Sequence, residues 1–214
     1  MKGLPGGIGI PHDWSKTVFR ILPLFGIFGL AYLVWLMHAE KFLSINRMIE
    51  SPDIIVIEAW ASPTAYRTAS RIYNENQAPF VMVCGVMKKV QLNEMNGNIA
   101  RLQSCGVQPD SIVQLIESKK MFHRTLTSAK MFAGWLHATG RDSANVLVIT
   151  MAAHARKTYL FYNTTSGKTC RVGIVSVPYK TGKRKGIVDS LRMAKYLTGQ
   201  TVEWLYALVM IRLL

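Results

Sequence analysis

The residues of this chain best suited to chemistry lie between Asn145 and Lys157. An apolar run, Val146-Leu147-Val148-Ile149-Thr150, empties directly into Met151-Ala152-Ala153-His154-Ala155-Arg156-Lys157. A strand that ends in a small-residue turn, followed at once by helix formers carrying a His and two cations, places those side chains on the rim of a sheet, where open α/β folds bind ligands. An imidazole there can exchange a proton near neutral pH, and a guanidinium can fork onto a phosphate or carboxylate. Three other groups share the setting of an apolar run that has just ended or a helix that is about to begin. They are Glu58-Ala59-Trp60, Glu117 to Lys120, and Arg124-Thr125-Leu126-Thr127-Ser128. With Thr150 to Lys157 they offer two carboxylates, several cations, hydroxyls and a His, which suits an anion-binding pocket.

Within that set Glu58 and His154 are the candidates for general acid or base, and Trp60, Arg124, Thr125, Ser128, Thr150 and Arg156 the candidates for ligand binding. Glu58 ends an apolar strand, so burial would demand a partner such as Arg124 or Arg156. Thr125, Thr127 and Ser128 read either as helix caps or, with free backbone N–H groups, as the cradle of a phosphate or carboxylate. Lys157 reads as a solvated neighbour. The remaining histidines carry no role: His12 and His38 flank the apolar N-terminal run, His137 ends an amphipathic helix, and His123 precedes Arg124 without a spaced partner. No His-Glu-x-x-His, Gly-x-Ser-x-Gly, Gly-x-Gly-x-x-Gly or Walker loop is present, so no metal site is expected and no cofactor is named. Gly6-Gly7-Ile8-Gly9 follows no strand and is not a phosphate loop. Cys84, Cys105 and Cys170 lack zinc or redox spacing, and Cys84 belongs to a buried strand.

The elements that must hold these residues alternate. Short, continuous, β-branched runs predict strands at 53–58, 80–84, 111–117, 146–150 and 171–177. Helices are predicted at 64–76, at 92–105 with an interruption at Gly97, at 125–138, at 155–162, and at 189–214 with a break at Gly199. Five strands separated by helices argue for a Rossmann-like three-layer α/β sandwich with a mostly parallel sheet. The expected domain runs from about residue 51 to 214, with a transmembrane helix at 18–40 and a short N-terminal segment at 1–17.

That helix rests on composition. From Ile21 to Ala39 there is no Asp, Glu, Lys or Arg, and the apolar run exceeds the roughly 7 to 15 residues of a signal-peptide core. Trp14, Tyr32 and Trp35 lie toward its ends, as interfacial aromatics do. Lys2, Lys16 and Arg20 precede it and Lys41 and Arg47 follow, which favours a cytoplasmic N-terminus by a small margin. From residue 40 onward there are 23 basic against 11 acidic residues, a net +12. A domain this basic attracts anions, and with no zinc-finger spacing or RNP aromatics nucleic acid is not an expected partner. The expected partners are membrane lipid and an anionic or lipid-linked small molecule. The densest cationic cluster, Lys180 to Lys185, either faces lipid phosphates or forms a solvated loop.

The order of these motifs resembles the SanA/ElyC/YdcF family of bacterial envelope proteins. Val56-Ile57-Glu58-Ala59-Trp60 is similar to that family's glycine-rich or Glu-Gly-Trp-like turn after its first strand, and Arg124-Thr125-Leu126-Thr127-Ser128-Ala129 to its Arg-Thr-x-x-Ser-Ala helix start. Thr150 to Thr158 resembles its strand-then-His segment, and Arg192-Met193-Ala194-Lys195-Tyr196 its C-terminal Glu-x-x-Lys-Tyr region. The chain departs where Ala59 interrupts the glycine turn and where Met151 stands in place of a Ser. The resemblance spans residues 51 to 214. It implies a Rossmann-like domain outside the cytoplasmic membrane, tied to cell-wall precursor or undecaprenyl-phosphate metabolism. Two alternatives stand beside an anion-binding envelope protein. One is a non-catalytic scaffold using Lys183-Arg184-Lys185 and the helix from Trp204 to Leu214; the other is a nucleotide- or S-adenosylmethionine-binding protein, should the domain be cytoplasmic.

Overall fold

In the computed structural model, residues 14–87, 92–118, 123–178 and 186–213 are described, with side chains from residue 22 onward. The chain divides after His38. Helix α1, Trp14–Leu43, carries the division within it. Its stretch Leu22–Leu43 is long and apolar enough to cross a membrane, and is the one such helix among the described residues. Phe25 and Phe28 are each 71 % exposed, so this apolar surface is not the buried face of a core helix.

The second unit, Ala39–Leu214, is an α/β fold. It begins earlier than the expected residue 51. Ala39 and Leu43 are fully buried, and Arg47 exchanges backbone hydrogen bonds of 2.8 Å in both directions with Ile174. That bridge covers the outer edge of the last strand, which would otherwise present unpaired backbone groups. Gly173 permits it, because a Cβ there would lie 2.5 Å from the Arg47 carbonyl oxygen.

Five strands, β1 Ile54–Glu58, β2 Phe80–Val86, β3 Ile112–Glu117, β4 Asn145–Met151 and β5 Arg171–Val177, form one wholly parallel sheet in the order β3-β2-β1-β4-β5. The continuous apolar runs follow from burial on both faces. Along β1, Ile55 and Ile57 join Val81, Val83, Leu147 and Ile149 on one face, against α2 Pro63–Asn76 and α3 Leu92–Ser104. Ile54 and Val56 join Met82, Cys84, Val146 and Val148 on the other. That second face packs against α4 Arg124–Ala138, α5 Ala155–Thr165 and α6 Ile187–Ile211. Three layers result, as the sequence predicts.

Two predicted breaks do not occur. α3 runs unbroken through Gly97 and α6 through Gly199, and a Cβ at either would meet nothing within 4 Å. A lone helical glycine weakens a helix by about 1 kcal/mol, which packing along a long apolar face overrides.

Candidate functional site

The strand order reverses between β1 and β4. The connection leaving β1 turns toward β2 and the one leaving β4 turns toward β5, so a crevice opens above their C-terminal ends. Alternation along the strands decides what faces it. Ile54 pairs with Val146 and Ile57 with Ile149, so the next pair in register is Glu58 beside Thr150, both on the α4/α5 face.

Glu58 is 1 % exposed. Its Oε2 accepts hydrogen bonds from Thr150 Oγ1 and, at 3.3 Å, from Thr158 Oγ1 in α5. Burial pushes the carboxyl up from 4.5 to about 7, against the opposing pull of the Thr150 hydroxyl, the Lys157 charge, Thr158 and Trp60. The partner anticipated for a buried Glu58 was Arg124 or Arg156. Two threonines and the field of Lys157 fill that place instead, because α5 starts one short turn after β4 and lays Thr158 over the strand ends.

His154 occupies the short 3-10 turn Ala152–His154 between β4 and α5. Ala152 takes φ 32°, sterically unfavourable for a residue with a Cβ, and its carbonyl is held by Ser176 Oγ at 3.1 Å. The turn thereby aims the imidazole back over the sheet. Nδ1 lies 2.9 Å from Gln200 Oε1, and Nε2 lies 3.1 Å from Thr125 Oγ1. An amide oxygen can only accept, so Nδ1 carries the ring proton and Nε2 accepts from Thr125. Burial, with the Lys157 and Arg124 charges, lowers the imidazole from 6.5 to about 3 against the raising effect of Gln200. The ring is neutral at physiological pH, so its 3.9 Å approach to Glu58 Oε1 is not an ion pair.

Above this buried set lies a cavity of about 460 Å³. Trp60, Arg124, Thr125 and His154 line it, as their positions at strand ends and a helix start predict. Trp60 meets the His154 ring edge-on at 4.7 Å. Arg124 is exposed at the first position of α4, where His123 at φ 67° supplies no side-chain cap. Among the described residues no carboxylate pairs with Arg124.

The other predicted residues fall elsewhere. Thr150 is fully buried beneath the cavity, bonded to Glu58. Ser128 lies one turn into α4, where its hydroxyl donates to the Arg124 carbonyl at 2.9 Å and its own carbonyl accepts from Cys84 Sγ. Arg156 does not line the cavity. Its Nε donates to the Phe42 carbonyl and its guanidinium sits 3.9 Å over the Phe42 ring, tying α5 to the end of α1. Glu117 ends the edge strand β3, two strands from the crevice, and does not line the cavity. Lys119, Lys120 and the cluster Lys180 to Lys185 lie outside the described residues, except that neighbouring Gly186 precedes α6.

Several further residues line the cavity. Lys157, read as solvated, is 9 % exposed, lines the cavity and is paired with Glu203. His123, assigned no role, lines the cavity and stacks on Tyr206, with Nε2 3.0 Å from the phenol oxygen. Tyr196, Gln200 and Glu203 complete the wall from α6. Their signal was the spacing of polar residues at positions 196, 200 and 203, which shares one face of a helix.

Compared with known proteins, the chain matches no family model, no curated protein and no solved structure.

Proposed function

We propose that this is a membrane-anchored envelope protein whose α/β unit binds an anionic metabolite, phosphorylated or lipid-linked, in the cavity at the β1/β4 crevice. The observation that carries the reading is the set of groups meeting there. Arg124 and the uncapped start of α4 present positive potential, and Thr125 presents a hydroxyl beside them. Trp60 adds an aromatic wall. Lys157 is balanced by Glu203, which leaves Arg124 as the cation available to a ligand among the described cavity residues. In this reading Glu58 and His154 act from below. Glu58 does not line the cavity and His154 is neutral, so the imidazole holds Thr125 in place while Glu58 holds Thr150 and Thr158 beneath the floor.

The basic balance of the unit and the apolar helix ahead of it fit a ligand found at membranes. The resemblance to SanA/ElyC/YdcF proteins supports the narrower assignment to cell-wall or undecaprenyl-phosphate-related metabolism, with the α/β unit outside the cytoplasmic membrane. Binding of a short-chain polyprenyl phosphate to the full chain in detergent tests the site. Arg124→Ala is expected to weaken it about 10-fold or more, the range for a lost charge-assisted hydrogen bond. Equal affinity in the variant would remove the cavity from consideration as the anion site.

A further inference from the structure

The outer face of α6 carries an exposed apolar stripe. At 3.6 residues per turn, Leu191, Val202, Leu205, Val209 and Leu213 fall on one side of this helix and its C-terminal end, and each is 50 % exposed or more. Lys195 and Arg212 stand on or beside the same side, both exposed. The acidic residues of α6 lie toward its margins, Glu203 paired with Lys157 and Asp189 with Arg192 at 3.9 Å. Core packing uses the opposite side, where Ala207, Met210 and Ile211 meet the sheet layer.

We infer that this face rests on the surface of an anionic bilayer, with α6 lying in the headgroup region as an interfacial helix. Two observations select lipid as the occupant. The apolar span Leu22–Leu43 ends inside the α/β unit, and Phe42, in its last turn, packs edge-on against Trp204 of α6 at 5.0 Å. The last turn of the span therefore meets α6 directly at Trp204. The net charge of the exposed face is positive, complementary to anionic headgroups, while its apolar side chains reach the acyl boundary. With four charged residues between Asp189 and Glu203 the helix suits lying on a membrane rather than crossing it. The proposal stands apart from the identity of the cavity ligand. It adds that the cavity wall formed by Gln200 and Glu203 belongs to a helix held at the lipid surface.

The test uses the full chain in vesicles of phosphatidylethanolamine and phosphatidylglycerol. A Cys105→Ser background leaves Cys84 and Cys170, which are buried. A nitrobenzoxadiazole label is placed at Val202→Cys or Val209→Cys on α6, or at Arg71→Cys on α2 as reference. Doxyl-labelled lipid is expected to quench the α6 labels roughly threefold more strongly than the α2 label, as insertion of an apolar face requires. Equal quenching at all three positions overturns the proposal. So does disulfide-linked dimer formation by Val202→Cys with labels shielded from doxyl lipid, since a second copy would then occupy the face. Lys195→Glu/Arg212→Glu, with its fold checked by circular dichroism, is expected to lose most of the quenching. Full retention would overturn the choice of an anionic surface.

Discussion

Glu58 is the residue on which the site's electrostatics turn. Its carboxyl keeps a proton to about pH 7 in the folded chain, whereas the unfolded chain releases it near 4.5. Between those values the folded state binds more protons, so this group's contribution to stability is full below pH 4.5, falls as pH rises, and is gone above 7. The amount is roughly 3 kcal/mol for a shift of this size. Glu58→Gln removes the titration and keeps an oxygen for Thr150. Urea unfolding in detergent is therefore expected to give a variant whose stability relative to the parent improves by about that amount between pH 4 and 8. A difference that stays flat with pH would mean that Glu58 is better solvated than its burial implies. His154 works in the opposite sense: neutral when folded, it gives stability that is lost as pH falls from 6.5 toward 3, in parent and variant alike.

At the scale of elements, glycines separate requirement from tolerance. Gly85 in β2 sits where a Cβ would come 2.8 Å from the Ala59 Cβ, so its absence of a side chain lets the Glu58-Ala59-Trp60 turn close onto the sheet. Gly85→Ala is expected to lower stability by about 1–3 kcal/mol, as overpacking does, and to weaken ligand binding through displaced Trp60. An unaffected melting temperature together with unchanged binding would refute the coupling between that contact and the site. Gly199 has no such neighbour and sits inside α6. Gly199→Ala is expected to raise the stability of the chain by about 1 kcal/mol, measured by thermal unfolding, through helix propensity alone.

At the scale of the whole molecule, the proposed extracytoplasmic placement of the α/β unit restricts its ligands. An extracytoplasmic unit has no access to cytosolic nucleotides or S-adenosylmethionine, leaving lipid-linked and cell-wall phosphates as ligands. Alkaline phosphatase fused after Leu214 is expected to be active in a bacterial host, and a fluorescent protein fused there to be dark. A silent phosphatase with a bright fluorophore would reverse the topology and make a cytosolic nucleotide the leading ligand.

Strands, helices and the residues at strand ends were legible in the sequence because each depends on a local pattern. Val146 to Thr150 reads as a strand from its own short β-branched run, and a parallel sheet then sends Thr150, His154, Glu58 and Trp60 to one edge. The parity that sets Glu58 beside Thr150 needed the register, which no single strand contains. Long-range contacts decided the rest. Gln200 reaches His154 across 46 residues and Glu203 reaches Lys157 across the same distance, so the wall built by α6 has no trace near the residues it serves. Arg156 looked equivalent to Arg124 as a cation beside a strand end. Phe42, 114 residues earlier, takes its guanidinium away from the cavity, because a helix presents neighbouring residues to different directions and only packing settles which direction faces the cavity.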